Sequence, residues 1–263
     1  QTVLHPPYDP GLPQLWAPAA GAPAVQANIL TYNLYWWRLF AQEGGSAGDE
    51  SPGGLISQAV RERPFDMMGF QECEDIIRVM AAAGLAGEYT ALQGAKAMCL
   101  AFRTADWTLL GRGEEEVAED TRSHEGYYGR RGAMWMRLRH ARGGKTVLFV
   151  NHHGPLMKNS GGMCGGGATA FNLLQLMVRH GQPGDAIILV GDFNANDASY
   201  TLRALYHRLH RIFFGIRGGD DNVFSNLVMQ QAVRKVNLGT GGSDHDALSV
   251  TFQMGDCPPL PPI

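Results

Sequence analysis

The sequence predicts an α/β fold in which two β-sheets pack face to face and helices flank them. Short apolar runs typical of strands, roughly ten in all, alternate with stretches of helical periodicity. Many strands interrupted by helices are typical of packed sheet and helix layers. The 263 residues contain no internal repeat and no domain-sized linker, so one large core is expected.

The strand predictions rest on short apolar segments bounded by polar or turn residues. They cover residues 25–33, 65–71, 98–102, 107–110, 133–139, 147–151, 186–190, 223–228 and 247–252. Apolar residues recur at helical spacing in four other segments, 55–62, 75–83, 168–179 and 199–210, which we predict to be helices.

Proline-rich segments stand at both ends of the chain. Because proline cannot continue a regular helix or a central strand, residues 1–25 are predicted to be an extended lead-in and 255–263 a tail. Residues 26–254 are then expected to form a single domain.

The composition excludes some function classes. No apolar run reaches the ~18 residues that a membrane-spanning helix requires. Lys+Arg 22 against Asp+Glu 25 gives a net charge of −3, which argues against a nonspecific nucleic-acid coat or a polybasic membrane anchor. A nuclease is still compatible with this charge, since bound cations can supply the positive charge that a phosphate needs.

The four cysteines are Cys73, Cys99, Cys164 and Cys257. Their spacing does not indicate a zinc site. They are compatible with two disulfides, in any of three pairings, or with free thiols. The chain begins at Gln1 rather than methionine, as expected of a processed, secreted protein, and we expect a monomer.

Polar side chains repeatedly stand at the end of a predicted strand. They are Asn33, Gln71, Glu72, Asn151, His152, His153, Asp192, Asn194, Ser243, Asp244 and His245. Each has an ordinary structural explanation when taken alone, such as a surface carboxylate or a turn. Together they predict one site, because strand ends can converge on one rim of a sheet.

This set of groups suits a hard cation. Oxygen-rich ligands favour Mg²⁺, Mn²⁺ or Ca²⁺ over zinc, and Glu72 and Asp244 are candidate carboxylate ligands. A histidine can move the proton of an attacking water. The amides of Asn33 and Asn194 can stabilise charge that develops on phosphoryl oxygens.

Five short segments carry these residues in a characteristic order. They are Thr31-Tyr32-Asn33, Gln71-Glu72, Asn151-His152-His153, Gly191-Asp192-Phe193-Asn194 and Ser243-Asp244-His245, with residues 220–224 before the last. Across residues 27–252 the sequence resembles the endonuclease/exonuclease/phosphatase superfamily. That superfamily includes deoxyribonuclease I, neutral sphingomyelinases and inositol-polyphosphate 5-phosphatases.

The resemblance implies a four-layer α/β sandwich of two mixed sheets, with the site on one edge of both. It also implies that Glu72 and Asp244 bind the catalytic Mg²⁺ (or Mn²⁺ or Ca²⁺) and that Asn33 lies close to it. Arg131 falls near the family's phosphate-contacting arginine, and Arg130 is a neighbouring candidate.

The resemblance also implies catalytic roles. His245, paired with Asp221, would act as general base or orient the water. His153 would contact or protonate the phosphate or the leaving oxygen. Asp192 and Asn194 would position the nucleophile and stabilise the pentacovalent state.

Three departures from deoxyribonuclease I concern the substrate. Glu74 replaces an arginine that reads the minor groove, and Lys96 replaces a glutamate that pairs with the first catalytic histidine. The glycine-rich loop 154–167 is unfamiliar. These differences argue against duplex DNA cleavage in the manner of deoxyribonuclease I, but they leave the core phosphoester chemistry unchanged.

The leading functional hypothesis is a metal-dependent phosphodiesterase of nuclease type, in which a histidine-activated water attacks in line. The first alternative is a phosphomonoesterase or a sphingomyelinase-like phospholipase. An exposed aromatic cluster could serve a lipid or a base, namely Trp36, Trp37, Leu39 and Phe40. The second alternative is a non-catalytic phosphate-binding module.

Overall fold

A computed structural model describes residues 11–35, 51–122 and 127–255, and the structural statements below concern these residues. The strands are β1 (Val25–Asn33), β2 (Met67–Gln71), β3 (Tyr89–Gln93), β4 (Cys99–Arg103), β5 (Trp107–Glu119), β6 (Arg130–His140), β7 (Thr146–His153), β8 (Ala186–Asp192), β9 (His210–Phe214), β10 (Asp221–Ser225), β11 (Ala232–Asn237) and β12 (Leu248–Met254). The α-helices are α1 (Pro52–Glu62), α2 (Ile76–Ala82), α3 (Gly166–His180) and α4 (Tyr200–Leu205).

The strands form two six-stranded sheets of similar design. The first sheet has the order β11-β12-β1-β2-β4-β3, and the second has the order β5-β6-β7-β8-β10-β9. In each sheet one central pair is parallel, β1 with β2 and β7 with β8, and the other pairs are antiparallel. A parallel pair requires a crossover, and α1 and α3 lie in these two crossovers.

Three apolar clusters define four layers, helix–sheet–sheet–helix. Ile29, Met67, Phe149 and Ile188 belong to the core between the sheets. The neighbouring strand residues point the opposite way, because side chains alternate across a strand. One outer cluster joins the first sheet to α1 and α2, and the other joins the second sheet to α3 and α4. The predicted four-layer sandwich is confirmed.

The two sheets approach closely beneath the polar strand ends. A β-carbon added to Gly69 would lie 3.0 Å from Val190 of the facing sheet and 3.1 Å from Asn151. The Gln71 amide donates a hydrogen bond across the gap to Asn151 Oδ1 at 2.5 Å, and Asn151 donates to the carbonyl of Phe70 at 2.8 Å. These buried hydrogen bonds hold the sheets at a defined separation here, although Gln71 Oε1 itself has no hydrogen-bond partner among the described residues.

The predicted elements differ from the structure mainly at the sheet edges. The strands β3, β9 and β11 were not predicted, and β5 continues well beyond residue 110. The prediction of a helix over 199–210 is wrong at its C-terminal end, since α4 ends at Leu205 and His210 begins β9. The Leu209 side chain is buried like that of Leu205 although it lies beyond the helix, so apolar spacing alone did not reveal where the helix ends.

Residues 11–24 lie against the domain. The Trp16 indole donates to the Asp185 carbonyl at 3.0 Å, and Arg208 donates to the carbonyls of Leu12 and Pro13. Lys145 Nζ donates to three successive carbonyls of residues 19–21. The proposed boundary at residue 25 therefore separates the strands from a segment that packs on them.

Two expectations concern cysteines and membranes. Within the described residues, Cys73, Cys99 and Cys164 form no disulfide, and Cys257 lies outside them. The described helices include none with the length and apolarity required to cross a membrane. The expected secretion and the expected monomeric state stay predictions.

Gly191 offers a test of the strand end that carries Asp192. Its φ is +143°, and an added β-carbon would lie 1.8 Å from the carbonyl oxygen of His152. We predict that Gly191→Ala lowers the free energy of unfolding by at least about 3 kcal/mol, because the backbone itself must move. Urea denaturation measures this.

Gly84→Ala is the matched control. Gly84 also has a positive φ, +71°, but an added β-carbon meets nothing within 4 Å. Gly84→Ala should lower the free energy of unfolding by about 1 kcal/mol, the cost of the left-handed conformation alone. Equal losses for the two variants would contradict the close approach at Gly191.

Candidate active site

The candidate site lies where the carboxyl ends of the two parallel strand pairs meet. Asn33 ends β1 and Glu72 follows β2 in the first sheet. His153 ends β7 and Asp192 ends β8 in the second sheet. Parallel neighbours end at the same edge of their sheet, and face-to-face packing brings the two edges together.

Asn33 connects the two sheets at this edge. Its fully buried side-chain amide donates to Glu72 Oε1 at 3.1 Å and to Asp192 Oδ2 at 3.0 Å. Its Oδ1 accepts from the Tyr35 backbone N–H at 3.0 Å, and its carbonyl accepts from the Ser243 hydroxyl at 2.7 Å. The single amide thus holds carboxylates from both sheets in one place.

Glu72 occupies an unusual backbone position. Its φ is +52°, a region that costs a non-glycine residue of the order of 1 kcal/mol. Burial raises the pKa of its carboxyl, the Asn33 hydrogen bond opposes that rise, and the nearby Asp192 carboxylate adds to it. Strain and carboxylate repulsion at one residue are typical of a functional position.

Asp192 lies at the centre of the site. Although burial alone would raise the pKa of this carboxyl, its electrostatic interactions with the His245 and His153 imidazoles, with hydrogen bonds from Asn194 and Asn33, lower it overall. His153 Nε2 lies 3.5 Å and His245 Nε2 lies 3.7 Å from the same oxygen, Asp192 Oδ2. Asp192 is therefore ionised at neutral pH.

The two histidines differ in their proton affinity. Burial lowers the pKa of His153 to about 4, which makes it neutral. His245 is also desolvated, but its Nδ1 contacts both carboxylate oxygens of Asp221 at 3.0 Å, and this bond with the nearby carboxylates raises its pKa to about 10. The pairing of Asp221 with the final histidine is present as expected.

Asn194 is held by the turn that follows β8. Its φ is +46°, its backbone N–H donates to Asp192 Oδ1 at 2.8 Å, and its side-chain amide donates to the Gly154 carbonyl at 3.0 Å. A β-carbon on Gly154 would lie 1.9 Å from the Phe193 carbonyl oxygen. The backbone after β7 therefore contacts the backbone after β8 so closely that only glycine fits at position 154.

Two groups of side chains have the spacing of a metal centre. Ligand atoms of Glu72, His153 and Asp192 lie within 4.8 Å of one another, and so do those of Asp192, Asp221 and His245. Two carboxylates and one imidazole in the first group form an oxygen-rich set that fits Mg²⁺ or Mn²⁺. A cation there would also neutralise the facing carboxylates of Glu72 and Asp192.

Asp244 lies outside both groups. Its side chain is 55% exposed, and its Oδ1 lies 4.0 Å from His245 Nε2. Its charge still reaches the site, since it contributes to the raised pKa of Glu72. The structure therefore brings together Asn33, Glu72, His153, Asp192 and His245 but leaves Asp244 on the rim.

Arg131 forms a buried ion pair. Its Nε and Nη2 donate to Asp120 at 2.8 and 3.1 Å, and the Asp120 carboxylate is fully buried. Arg130, the neighbouring candidate, is exposed and lies 2.7 Å from Glu116. Of the two, Arg131 has the fixed orientation expected of a phosphate contact.

A cleft of about 490 Å³ is lined by Glu72, Arg130, Arg131, His153, Asp192, Asn194 and His245. The lining also includes Tyr35, Glu74, Lys96, Ala97, Tyr128 and Leu156. Lys96 Nζ lies 3.8 Å from Glu116, so it is partnered by an acid of β5. The predicted loop 154–167 contributes Leu156 to the wall. The aromatic cluster at Trp36, Trp37, Leu39 and Phe40 lies outside the described residues.

Sequence reasoning did not find Asp120 or Tyr128. Asp120 follows buried Val117 and Ala118 at the end of β5, which is the same strand-end signal as elsewhere. The acidic run 114–116 concealed that strand. His152 is adjacent to the site but packs away from it, with Nδ1 2.9 Å from the Gly132 carbonyl and its ring against Phe193.

Comparison with solved structures supports the fold. An endonuclease/exonuclease/phosphatase family protein from Bacteroides thetaiotaomicron superposes with a TM-score of 0.66 at 17% identity, covering 89% of this chain and 100% of its own. A mannosyl-6-phosphatase of the same organism gives 0.59 at 16% identity, covering 85% and 98%. A 2′,3′-cyclic phosphatase in complex with adenosine-2′,3′-vanadate gives 0.58 at 13% identity, covering 88% and 96%.

The chain therefore has the endonuclease/exonuclease/phosphatase fold, and the resemblance expected from its five motifs is confirmed at the level of the fold. No family model and no curated protein matches the sequence.

The bridging amide of Asn33 can be tested through stability. Asn33→Asp replaces a donor by a third buried carboxylate, so we predict a loss of about 3 kcal/mol in the free energy of unfolding with chelator present. Excess Mg²⁺ should reduce that loss, because a cation neutralises the carboxylates. Urea titrations with and without Mg²⁺ measure both effects.

Asn237→Asp is the matched control. Asn237 uses its Oδ1 to accept from the Gly239 N–H at 2.9 Å, and aspartate keeps that acceptor. Its change should stay within about 0.5 kcal/mol. A loss at Asn33→Asp no larger than this control would contradict the proposed carboxylate cluster.

Proposed function

We propose that the protein is a divalent-metal-dependent phosphoester hydrolase, and that its substrate is a phosphodiester, as in a nuclease. The observation that carries the proposal is the convergence of Glu72, His153 and Asp192 within 4.8 Å on the wall of an open cleft. Carboxylates around a hard cation beside positioned imidazoles are suited to phosphoryl chemistry.

Glu72 would be the principal protein ligand of Mg²⁺, with Asp192 and His153 beside it and Asp244 contributing from the rim. The cation would supply positive charge that stabilises the phosphoryl oxygens in the transition state. Asn33 would hold the carboxylates in register, and Arg131 would contact a nonbridging oxygen.

Asp192 and His245 would activate the attacking water. Asp192 is ionised and can accept the proton of the water, while His245, oriented by Asp221, fixes its position. The water oxygen forms the new P–O bond and the ester P–O bond breaks. The leaving oxygen takes a proton from solvent and the proton on Asp192 returns to solvent. His153 is placed to contact the leaving oxygen, and the Asn194 amide would stabilise the pentacovalent state.

The charge of the cleft favours a diester over a monoester. The cleft-lining cations Arg131, Arg130 and Lys96 each have a carboxylate partner, either Asp120 or Glu116. A monoester carries about one more negative charge than a diester at neutral pH, and paired cations offer little to compensate it. The fold alone does not choose between them, since one structural neighbour is named a mannosyl-6-phosphatase and another a 2′,3′-cyclic phosphatase.

Activity on bis-p-nitrophenyl phosphate tests this function. We predict turnover with Mg²⁺ or Mn²⁺, loss of turnover with chelator, and weaker turnover of p-nitrophenyl phosphate. Asp192→Asn should lower kcat by at least ~10², the scale of a proton-transfer contribution. Release of p-nitrophenol measures each rate.

Asp197→Asn is the control on the same loop. Asp197 is 72% exposed at its side chain and pairs with Arg211 away from the cleft. Its variant should keep the wild-type rate. Tight binding of phosphate esters without any turnover would instead favour a binding module, and a faster monoester reaction would favour a phosphatase.

The metal dependence distinguishes the two predicted carboxylate ligands. We predict that Glu72→Gln raises the Mg²⁺ concentration for half-maximal rate by at least tenfold. Asp244→Asn should raise it less, because this carboxylate lies on the exposed rim. A Mg²⁺ titration of the rate measures both, and an effect confined to Asp244→Asn would reverse the assignment.

A further inference from the structure

Tyr128 is an exposed aromatic side chain in the wall of the cleft. It is 73% exposed and lines the same cleft as His153 and Asp192. The Arg131 guanidinium carbon lies 5.5 Å from the centre of its ring. A large aromatic surface is therefore presented to solvent beside the predicted phosphate position.

A buried carboxylate fixes the backbone beneath this ring. Asp120 Oδ2 accepts from the Tyr128 N–H at 2.8 Å, and Asp120 Oδ1 accepts from the Leu156 N–H at 2.8 Å. The same carboxylate receives the two bonds from Arg131. Asp120 thus joins three separate segments, the end of β5, the start of β6 and the loop after β7.

We call Tyr128, Arg131 and Leu156 the Tyr128 shelf. The three residues combine an aromatic ring, a planar cation and an aliphatic side chain, all anchored to one carboxylate. A surface of this kind binds planar aromatic groups by stacking, because every such group has a π face. Anchoring lowers the entropy that binding would otherwise cost.

The position of the shelf limits what it can bind. Arg131 belongs both to the shelf and to the predicted phosphate contact, so a group on the shelf must be close to the phosphate. The exposed Glu74, which also lines the cleft, repels additional phosphates of a long polyanion. A short substrate with one planar group near its phosphate satisfies both conditions.

We propose that the Tyr128 shelf is a specificity site for a nucleobase attached, through its sugar, to the phosphate that is hydrolysed. The proposal rests on the proposed phosphodiesterase function and names its substrate class. Tyr128 contributes binding through its ring rather than its hydroxyl, and it takes no part in the proton transfers.

Three dinucleotide substrates test the proposal. They are thymidylyl-(3′→5′)-thymidine and its two analogues in which one or the other base is replaced by hydrogen. The wild type should hydrolyse one analogue with kcat/KM about tenfold lower than the dinucleotide, the scale of one stacked base. Tyr128→Ala should lower kcat/KM for the dinucleotide to the wild-type value for that analogue, by raising KM. Its kcat/KM for the analogue itself should stay within about twofold of the wild-type value.

Two control variants isolate the ring. Tyr128→Phe keeps the stacking face and should retain the preference for the base. Tyr200→Ala removes another exposed tyrosine, 60% exposed and with Arg203 at 5.8 Å from its ring, that does not line the cleft. It should behave as wild type on all three substrates.

The outcomes separate this proposal from the function on which it rests. An equal loss on all three substrates, or no loss, in Tyr128→Ala overturns the shelf. So does a wild type that hydrolyses bis-p-nitrophenyl phosphate but no dinucleotide, and in both cases the hydrolase function stands. A wild type that hydrolyses neither overturns both.

Discussion

The site depends on one contact between the sheets, the amide of Asn33 bonded to Glu72 of one sheet and Asp192 of the other. The carboxylates of Glu72 and Asp192 have oxygens within 4.8 Å of each other, so they repel. A neutral hydrogen-bond donor between them reduces the cost of that repulsion without adding charge. The Gln71–Asn151 bond and the close approach at Gly69 fix the sheet separation directly beneath. The contacts that set the separation of the two sheets therefore also set the geometry of the site.

The electrostatics follow from the same arrangement. Burial drives His153 to its neutral form, whereas Asp221 holds a proton on His245. One imidazole is thus neutral and the other protonated at neutral pH, and such shifted pKa values are typical of sites that move protons. On the outer wall Lys96, Arg130 and Arg131 are each paired with a carboxylate, so a bound metal would add positive charge that these side chains do not supply. Under the proposed function, selectivity for the substrate would then depend on shape and stacking.

Much of this organisation could be predicted from the sequence, because polar residues that directly follow or precede apolar strands form a local signal. Asn33, Glu72, His153, Asp192 and His245 were found in this way. The edge strands β9 and β11 were not predicted, because buried and exposed residues do not alternate clearly along them. The roles of Asp120 and the rim position of Asp244 depend on tertiary contacts between distant segments, and no local pattern encodes these contacts.

The central claim is that carboxylates from two sheets are assembled around one hard cation. The most direct measurement is anomalous diffraction from crystals equilibrated with Mn²⁺. We predict a peak in contact with the Glu72 carboxylate and beside Asp192 and His153, at the base of the cleft. A peak bound elsewhere, with the Glu72 and Asp192 carboxylates turned apart, would contradict it.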